Sequence, residues 1–533
     1  MTLEEMALEE RTELMSNGVE RIQAPGKDSC GGSFVTGFPV VPHYFQRRSF
    51  SRGNITAATV NSELGAQLST GSLIFGSDSS LWPNATSRWD TLVRPNVQAV
   101  VEPAAESDIA KIIKYCNDNS FEFLVRNRGH GITSSLSTFS GLEINVERLI
   151  DITIQPDEET AIIQAGAYGG LVIKTLWDKG YVTTTGATRC VGIMGPALGG
   201  GHGRYNGLYG LVMDDILHYN VVLANGTEIG VNETSYPDLL WALKGAGHNF
   251  AAVTSIVKKI YPKEIETWHY HNYTWTQDKL ETVFEALNVF HKSDNGTTPP
   301  KMGVNYGSII MDTSISTTEA VLKWGFYYAG PAGEAEELLA PFNAIGAVAE
   351  DTFDASYPVI ADFTAGDCAP GNYAISSALL VDWNVTAERA LYDHYLANVA
   401  RYPELGATAY LWHEGYATAG YQAIPSDSTA YPHREENHIM FFATSVPEGS
   451  GLLGTANRWA KEATDIWNAG QPNRQPKVYV NYAMGHNFET LDSIYGYEPW
   501  RLERLRSLKA TYDPANRFRF YVPIISNSTY GCK

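Results

Sequence analysis

The stretch from Gly186 to Asp215 reads GATRCVGIMGPALGGGHGRYNGLYGLVMDD and carries nine glycines in thirty residues. Glycine loses more conformational freedom on folding than any other residue. A dense run is therefore retained where the backbone needs a positive φ or where a ligand lies against the main chain. The residues between these glycines are apolar and need burial, whereas a flexible linker carries polar filler. The stretch predicts a buried loop whose free N–H groups suit a flat or anionic cofactor.

Several common active-site motifs do not fit the sequence. No Lys-Ser or Lys-Thr pair follows the glycines, as the phosphate loop of nucleotide hydrolases requires. The GxGxxG dinucleotide motif, which opens a helix directly after a strand, does not fit either. His413-Glu414 lacks the remaining residues of a zinc-protease motif, and there is no Gly-x-Ser-x-Gly elbow. The sequence therefore predicts neither a metal site nor a hydrolytic triad.

The composition is that of a large, acidic globular protein. Its 533 residues are enough for two or three domains with sizeable cores, and 44% of them are hydrophobic. The formal net charge of −20 argues against nucleic acid and anionic membranes as partners. No apolar run approaches the roughly 20 residues of a membrane-spanning helix. The 30 tyrosines and 12 tryptophans suit an aromatic-lined pocket or an aromatic core.

The signals for localisation conflict. Residues 1–25 are acidic and helix-prone, without the apolar core of a signal peptide. Eight Asn-x-Ser/Thr sequons nevertheless favour a secreted glycoprotein, so we favour the secretory pathway, with the cytoplasm as the alternative. The sequons begin at Asn54, Asn84, Asn225, Asn232, Asn272, Asn295, Asn384 and Asn527. The five cysteines leave at least one free thiol and exclude a small disulfide scaffold: Cys30, Cys116, Cys190, Cys368 and Cys532.

A polar loop follows the strand predicted over residues 121–125. It reads Arg126-Asn-Arg-Gly-His-Gly131 and continues to Thr133, Ser134 and Ser135. Backbone amides, hydroxyls and two arginines in one short turn are the groups that hold a pyrophosphate. The loop is therefore a second candidate for cofactor binding.

The pattern changes from about Lys263. Residues 265–475 alternate strand-like runs with helices, which predicts a separate antiparallel sheet with helices on one face. The predicted strands are 303–311, 321–328, 407–413 and 438–444, and the predicted helices are 277–291, 334–340 and 387–399. The tail adds an amphipathic helix over residues 499–509.

Four motifs in this order resemble one protein family. They are Arg126-x-x-Gly-His130, the glycine run Val191–Gly201, Pro237-Asp-Leu-Leu-Trp-Ala-Leu-Lys-Gly245, and the tail motif Tyr479-x-Asn-Tyr482 with Tyr512-Asp-Pro-x-Asn516. Together they resemble the berberine-bridge-enzyme-like branch of the vanillyl-alcohol-oxidase flavoproteins, and fungal members of secondary metabolism are most similar. The resemblance covers roughly residues 90–260 and 475–520. It implies an α+β fold: a two-part FAD-binding domain of the vanillyl-alcohol-oxidase (PCMH) type with an inserted antiparallel-sheet substrate domain.

The resemblance also implies domains and cofactor contacts. The expected segments are a lead-in (1–90), the FAD-binding domain (91–262), the substrate domain (263–475) and a berberine-bridge-like segment (476–533) that returns to the FAD domain. His130 is expected to bond covalently to the 8α-methyl of FAD, with a plain hydrogen-bonding histidine as the alternative. The other residues expected to contact FAD are Arg126, Asn127, Arg128, Gly129, Gly131, Thr133, Ser134, Thr188, Val191, Gly192, Gly195, Gly199, Gly200, Gly201, Val253 and Asn481.

A second flavin link is not expected. Some relatives attach the flavin again through a cysteine three residues before the Val-Gly pair, and that position is Thr188 here. Cys190 lies two residues away, so we predict a single link and interpret Cys190 as a small buried cysteine. Val191 resembles the small residue that admits O2 to the flavin in oxidases, although a core valine fits equally well. The segment 245–249 departs from the family's all-glycine version, which puts its backbone geometry in question.

The resemblance points to a catalytic tyrosine. Flavin accepts hydride, and a base must take the proton of the substrate's O–H or N–H. Tyr482 lies where the family places an active-site tyrosine or histidine; a tyrosine with a pKa near ~10 needs a cationic or hydrogen-bonding neighbour to act near neutral pH. Packing of Tyr482 on the flavin is the alternative. His433 and Arg434 are expected to order a loop or contact the cofactor, with a surface turn as the alternative. Phe442, where relatives carry a glutamate or glutamine, predicts an apolar pocket.

The sequence thus predicts an FAD-dependent oxidoreductase that uses O2. It would remove hydride from a C–O or C–N carbon of a natural product, and ring closure could be coupled to that step. The alternatives are a secreted carbohydrate oxidase, a flavin-bound cyclase without net redox chemistry, and an inactive binding scaffold. Peroxide release on turnover separates the oxidase from the cyclase, and the absence of flavin indicates the scaffold.

Overall fold

The computed structural model describes residues 55–363, 368–485 and 489–525. The helix predicted near the N-terminus, the sequons at Asn54 and Asn527, and Cys30 and Cys532 lie outside these ranges. Within the described residues, no helix is long and apolar enough to cross a membrane. The described strands form three main sheets and one two-stranded ribbon.

The first sheet is mixed and has the strand order β1-β2-β4-β3. Strand β2 runs parallel to β4, β4 runs parallel to β3, and β1 is an antiparallel edge. Helix α3 belongs to the same part of the fold. Its apolar residues recur at helical spacing and are buried. The bounds are β1 (Leu73–Phe75), β2 (Asn96–Glu102), β3 (Phe123–Arg126), β4 (Ser140–Asn145), α1 (Ala57–Leu64), α2 (Trp82–Ala85) and α3 (Ser107–Asp118).

The second sheet is antiparallel and has the strand order β5-β6-β10-β8-β9. The Asn225-Gly226 turn joins β8 to β9, with Gly226 at φ +81°. Strand β7 pairs with β11 in a separate ribbon. The bounds are β5 (Ile152–Ile154), β6 (Thr160–Gln164), β7 (Tyr181–Val182), β8 (Ile216–Leu223), β9 (Glu228–Val231), β10 (Ala251–Lys259), β11 (Tyr261–Pro262), α4 (Gly169–Trp177), α5 (Met194–Leu198), α6 (Asn206–Tyr209) and α7 (Pro237–Ala246).

The third sheet has seven antiparallel strands in the order β15-β12-β14-β13-β17-β18-β16. Its strands are β12 (Trp268–Trp275), β13 (Met302–Met311), β14 (Ala320–Tyr328), β15 (Ala349–Ala355), β16 (Tyr373–Leu380), β17 (Tyr410–Tyr416) and β18 (His438–Ser445). The helices of this part are α8 (Leu280–Phe290), α9 (Ala332–Asn343), α10 (Tyr357–Asp362), α11 (Val385–Arg401), α12 (Pro403–Gly406), α13 (Ala419–Gln422) and α14 (Leu453–Ala469).

The two faces of this sheet have different roles. Successive residues of a strand point to opposite faces. Ile309, Leu411 and Phe442 pack with buried residues of α8, α11 and α14 in one core. Tyr306, Trp412 and Phe441 lie on the other face, where they line a large cavity. The alternation of side chains therefore gives the sheet one helix-covered face and one pocket face.

The tail returns to the first two sheets through helices α15 (Leu491–Tyr495) and α16 (Pro499–Tyr512). The fully buried Lys509 ammonium donates to the carbonyls of Asn249 and Phe518. Arg517 Nη1 donates to Glu122 Oε2 over 3.2 Å. These bonds join the end of the chain to residues that precede the seven-stranded sheet, so the fold is split in sequence as predicted.

The predicted fold class is confirmed, with differences in individual elements. The sequence did not predict β12, β16 or α14. Almost every residue of β16 is buried, and β12 places aromatic residues on both faces, so neither strand shows a polar–apolar alternation. The strand predicted to end at residue 413 continues to Tyr416 in β17. That extension places Glu414 on the sheet.

Candidate active site

A cavity of about 590 Å³ lies between the pocket face of the seven-stranded sheet and the first two sheets. Its volume is in the range of ligand-binding pockets. Several segments of the chain form its walls: residues 123–132, residues 186–198, the start of β10, the strands β13, β17 and β18, and the tail residues 479–482 and 517–521. The cavity thus brings together the glycine run, the polar loop and the tail motif.

His130 projects from the loop that follows β3. Gly129 has φ +70°, and a Cβ there would lie 2.7 Å from the carbonyl oxygen of Ser87, so the turn requires glycine. Burial, with a smaller effect of the charges of Arg126 and Arg128, lowers the pKa of His130 to about 4. The imidazole is therefore neutral at neutral pH. Its buried Nδ1 has no hydrogen-bond partner among the described residues.

The two arginines of this loop differ in availability. Arg126 Nη1 donates to Glu147 Oε2 over 2.8 Å, and Nη2 donates to the carbonyl of Asn84 over 3.2 Å. The expected pyrophosphate contact of Arg126 is therefore opposed by partners within the protein, although the residue lines the cavity. Arg128 lies 4.1 Å over the ring of Tyr168, and its buried Nε has no partner in the described part of the chain. Of the two arginines, Arg128 is therefore the better placed to contact a pyrophosphate.

The glycine run divides into two functional parts. Gly192 and Gly195 line the cavity, as expected for cofactor contacts. Gly199, Gly200 and Gly201 do not line it, contrary to the expectation. A Cβ at Gly199 would lie 2.3 Å from Asn481 Oδ1, and one at Gly201 would lie 2.5 Å from Val212 Cβ. Close packing of the protein, rather than a ligand, requires the glycine triplet.

The other residues expected to contact the cofactor also divide into those that line the cavity and those that do not. Asn127, Gly131, Thr188, Val191, Val253 and Asn481 line the cavity. Thr133 and Ser134 do not. The Ser134 N–H donates to the Met484 carbonyl over 2.8 Å, and Thr133 Oγ1 lies 3.3 Å from Ser135 Oγ. Ser134 therefore holds the polar loop against the tail, whereas Thr133 bonds within the loop.

Cys190 is not a free thiol in this structure. It forms a disulfide with Cys368, 178 residues later in the chain. Its Sγ lies 3.5 Å from His130 Nε2, so the disulfide contacts the histidine that is expected to bind the flavin. The interpretation of Cys190 as a small buried cysteine is therefore wrong. Cys116 is the free cysteine of the described residues, and burial raises the pKa of its thiol to about 12.

Glu414 receives hydrogen bonds from three neighbouring side chains on the pocket face. Tyr482 Oη donates to Oε1 over 3.0 Å, Trp412 Nε1 donates to Oε1 over 3.1 Å, and Tyr416 Oη donates to Oε2 over 2.9 Å. Three donors to one carboxyl group stabilise its ionised form. Among the described residues that line the cavity, Glu414 is the single carboxylate.

The neighbours of Tyr482 correct its predicted role. The prediction required a cationic or hydrogen-bonding group that would stabilise the phenolate. The structure places the Glu414 carboxylate there, and Tyr482 donates to it. Burial, followed by the negative charge of Glu414, raises the pKa of Tyr482 well above its usual value. Tyr482 is therefore a hydrogen-bond donor in this cavity, and a role as general base near neutral pH is disfavoured.

Three further residues singled out from the sequence, His433, Arg434 and Phe442, do not line the cavity. Arg434 makes two bonds to Asp214, at 2.8 and 2.9 Å, and His433 Nε2 lies 2.9 Å from the Ile494 carbonyl. Both order the loop before β18, which was one of the expected roles. Phe442 is fully buried beneath the helices, whereas Phe441 lines the cavity. From the sequence, Phe442 is expected to face the pocket, but the residue that faces it is Phe441, one position earlier in the strand.

The sequence interpretation missed Glu414, Tyr306 and Trp412. The signal was present in β17, where Tyr410, Trp412, Glu414 and Tyr416 alternate with other residues at a period of two. An acidic residue in such an aromatic row is costly to bury unless it is hydrogen-bonded. The alternation could have indicated a functional carboxylate, but the predicted strand ended one residue too early.

The polar groups of the cavity fit a flavin cofactor. Several buried polar atoms of its walls have no hydrogen-bond partner among the described residues, although buried polar groups are normally paired. They include Asn127 Oδ1, Arg128 Nε, His130 Nδ1 and Asn481 Oδ1. Donors and acceptors on one apolar-walled cavity suit the polar edge and phosphates of a bound dinucleotide.

Comparisons with known proteins agree with this chemistry. A family model for the FAD binding domain matches residues 97–232. The FAD-linked oxidoreductase iacH of Pestalotiopsis fici is 73% identical over 495 residues, which cover 93% of this chain and 96% of that protein. The FAD-linked oxidoreductase OXR2 of Pyricularia oryzae is 47% identical over 498 residues, which cover 91% of this chain and 95% of that protein.

Solved structures show the same fold at low sequence identity. Physcomitrella patens BBE-like 1 aligns with a TM-score of 0.75 at 19% identity, covering 89% of this chain and 100% of that one. Glucooligosaccharide oxidase of Acremonium strictum aligns with a TM-score of 0.74 at 20% identity, covering 89% of this chain and 100% of that one. These relatives show that the chain belongs to the FAD-linked oxidoreductases, and its fold is similar to that of the berberine-bridge-enzyme-like protein.

Proposed function

We propose that this enzyme is an O2-using oxidase that takes hydride from a C–O or C–N carbon of an apolar natural product, with Glu414 as the proton acceptor. The observation that supports this proposal is the placement of one hydrogen-bonded carboxylate in an aromatic cavity that also contains His130. FAD, when bound, supplies the hydride acceptor and passes the electrons to O2, which becomes hydrogen peroxide. The protein binds, orients and deprotonates the substrate.

His130 is the proposed attachment point for FAD. Its imidazole is neutral because its pKa is lowered to about 4, and Nδ1 keeps a lone pair that no described residue occupies. A neutral ring nitrogen is nucleophilic, whereas an imidazolium is not. The disulfide of Cys190 removes the nearest thiol as a second attachment point, so the link is single. Arg128 is the proposed cation for the phosphates.

Glu414 and Tyr482 are proposed to act as a pair. The carboxylate of Glu414 accepts the proton of the substrate's O–H or N–H as the C–H bond breaks and its electron pair leaves as hydride, so that a C=O or C=N bond forms. Tyr482 keeps its own proton and donates to Glu414 Oε1, which fixes the carboxylate in the cavity. This assignment replaces Tyr482 as the base.

The walls of the cavity support an apolar substrate. The sheet contributes Tyr306, Ile310 and Phe441 to the lining, and Tyr306 stacks on Trp412 with ring centroids 5.2 Å apart. Aromatic rings bind flat, weakly polar molecules well. We therefore propose that the seven-stranded sheet, within the predicted segment 263–475, binds an aromatic or otherwise apolar natural product. Val191 lines the same cavity and is the proposed small residue that admits O2.

A carbohydrate oxidase is the second candidate. Trp89 and Trp412 both line the cavity, and tryptophan rings stack on sugar faces. Four sequon asparagines are exposed, which agrees with a secreted glycoprotein: Asn84, Asn225, Asn295 and Asn384. A disulfide between Cys190 and Cys368 also favours an oxidising compartment. The two candidates differ in substrate, not in the roles of His130 and Glu414.

The first experiment determines how the flavin is held. The flavin spectrum of purified protein is recorded before and after acid precipitation, for the wild type, His130→Ala and the double variant C190S/C368S. Yellow colour remains with the pellet in the wild type and the double variant and moves to the supernatant in His130→Ala. Colour in the pellet of His130→Ala contradicts the tether, and a colourless wild type indicates the scaffold.

The second experiment identifies the substrate class. Peroxide formation is measured against a panel of aromatic and apolar alcohols and amines, and against gluco-, chito- and xylo-oligosaccharides. Turnover of the first panel supports the natural-product oxidase, and turnover of the second supports the carbohydrate oxidase. Product formation without peroxide supports the cyclase instead.

A further inference from the structure

Two histidines and a glutamate converge on the helix-covered side of the seven-stranded sheet. His269 and His271 are two residues apart on β12 and therefore point to the same face. Glu336 extends from α9 above them. Its Oε1 lies 2.9 Å from His269 Nε2 and 2.7 Å from His271 Nδ1. One potential ligand atom of each residue lies within 4.8 Å of the other two.

Two acidic residues of the edge strand β15 complete the cluster. His269 Nδ1 lies 2.7 Å from Asp354 Oδ1, and His271 Nε2 lies 3.3 Å from Glu350 Oε2. Every ring nitrogen of the two histidines thus faces a carboxylate oxygen. Two carboxylates around each ring favour a positive charge at this place, which an imidazolium or a bound cation supplies.

From this geometry we propose that His269, His271 and Glu336 bind a divalent transition-metal ion, with Zn²⁺ as the best fit. Two imidazoles and one carboxylate are ligands that Zn²⁺ accepts, with a water molecule in the fourth position. The carboxylates of Glu336, Glu350 and Asp354 around the two imidazoles attract a divalent cation. The site lies on the face of the sheet opposite the flavin cavity, so this proposal is independent of the proposed function.

The surroundings of the three ligands resemble the outer shell of a metal site. A histidine that binds a metal usually donates its other ring N–H to a carboxylate, which fixes the tautomer. Asp354 is placed to accept from His269 Nδ1, and Glu350 to accept from His271 Nε2. Asn343 Nδ2 donates to Glu336 Oε2 over 2.9 Å and orients that carboxylate as well. The Tyr273 hydroxyl lies 3.1 Å from His271 Nδ1 and donates to Asn343.

The two distances from Glu336 to the histidines are already close to those around a bound ion. Ligand atoms around a tetrahedral Zn²⁺ lie about 3.3 Å apart, given metal–ligand distances near 2.0–2.1 Å. The present distances from Glu336 Oε1 to the two ring nitrogens are 2.9 and 2.7 Å. The two histidines are buried, whereas the Glu336 side chain is 35% exposed and can move by the missing half ångström. The bound ion would connect the helix α9 to β12 and, through Asp354 and Glu350, to the edge strand β15.

The test measures metal binding directly. Tag-free, flavin-loaded full-length protein is treated with a chelator, exchanged into chelator-free buffer and titrated with ZnCl2 by isothermal calorimetry. We expect one equivalent to bind and the melting temperature to rise with Zn²⁺ concentration. His269→Ala and His271→Ala weaken binding at least a hundredfold. Asp354→Asn leaves the three ligands in place and weakens binding roughly 10- to 100-fold.

His394→Ala is the matched control. His394 Nε2 lies 3.3 Å from Glu462 Oε2 in an exposed histidine–glutamate pair on α11 and α14 of the same part of the fold. This variant should bind Zn²⁺ like the wild type. Absence of one-equivalent binding in the wild type, or wild-type affinity in both histidine variants, would overturn the proposal. If the histidine variants do not fold, Co²⁺ added to the wild type decides: visible bands of a tetrahedral site support the proposal, and their absence refutes it.

Discussion

At the scale of single residues, Glu414 is the group whose chemistry can be tested most directly. Its ionised form is stabilised by Tyr482, Trp412 and Tyr416, and no other carboxylate of the described residues lines the cavity. Glu414→Gln keeps the size and most hydrogen bonds of the side chain but removes its ability to accept a proton. We expect the rate of substrate-dependent flavin reduction to fall roughly 100- to 10,000-fold.

Stopped-flow flavin bleaching with a substrate from the peroxide screen measures this effect. Glu404→Gln, at an exposed glutamate on α12, is the control and should reduce flavin at the wild-type rate. Flavin content and acid-stable colour should be unchanged in both variants, since neither residue holds the cofactor. A Glu414→Gln rate within threefold of the wild type would move the base elsewhere, with Tyr482 as the next candidate.

Asp90 gives a prediction for stability against pH. Its carboxyl group is fully buried, and burial raises its pKa from 3.8 to about 6, although the N–H groups of Leu92 and Tyr373 donate to it. The folded state therefore binds more protons than the unfolded state between about pH 4 and pH 6. Stability from this group is complete below pH 4 and is lost as the pH rises through about 6. The loss is on the order of 2 kcal/mol.

Asp90→Asn isolates this contribution, because asparagine keeps the acceptor oxygen without a charge. Urea unfolding at pH 4.5 and pH 6.5 should show a smaller loss of stability over this interval in Asp90→Asn than in the wild type. Identical pH slopes for the two proteins would show that Asp90 titrates normally in the folded state. For each protein, the unfolding midpoint at one of the two pH values is the reference from which its change in stability is measured.

At the scale of the element, helix α7 ends where Gly245 breaks it. Gly245 has φ +127°, and a Cβ there would lie 2.2 Å from the backbone nitrogen of Tyr431. The Tyr431 N–H donates to the Lys244 carbonyl over 3.1 Å, so the break positions the chain before β18. The segment 245–249 departs from the all-glycine family pattern, which put its backbone geometry in question. The structure shows that the first residue of this segment, Gly245, must be glycine.

We expect Gly245→Ala to lose roughly 2–4 kcal/mol of unfolding free energy, because the new side chain is strained in φ and meets backbone atoms. Gly333→Ala is the matched control. Gly333 lies within α9, with nothing within 4 Å of the added Cβ. Alanine there should be neutral or stabilise by up to ~1 kcal/mol. Chemical denaturation of both variants gives the comparison, and equal stabilities would contradict the steric argument.

Elements also show how far a pattern predicts a site. The motif around His130 predicted a cofactor-binding loop, and His130 lines the cavity in the structure. A local motif can indicate this position because the chain between residues 126 and 131 forms one short turn. Glu414 was missed because its role depends on the register between β13, β17 and β18, which the sequence of β17 does not contain. The cluster of His269, His271 and Glu336 was not predicted, because Glu336 is 65 residues from His271 in sequence and meets the two histidines only through packing.

At the scale of the whole molecule, the disulfide between Cys190 and Cys368 joins the glycine run to the segment before β16. It closes a loop across a sequence separation of 178 residues and so restricts the unfolded chain. We expect the double variant C190S/C368S to lose about 2–4 kcal/mol of stability. Thermal unfolding of the flavin-loaded protein measures this loss. The double variant is compared with Cys116→Ser, which removes a buried thiol without a disulfide.

The sequence by itself determined the family, the α+β class, the split flavin-binding fold and the position of His130, because these follow from local motifs and from their order along the chain. Only the tertiary structure decided which glycines line the cavity, that Cys190 is bonded to Cys368, and that Tyr482 donates to Glu414. The physical reason is distance in sequence. Hydrogen bonds, burial and charge act between neighbours in space, and the partners of these residues lie tens to hundreds of positions away.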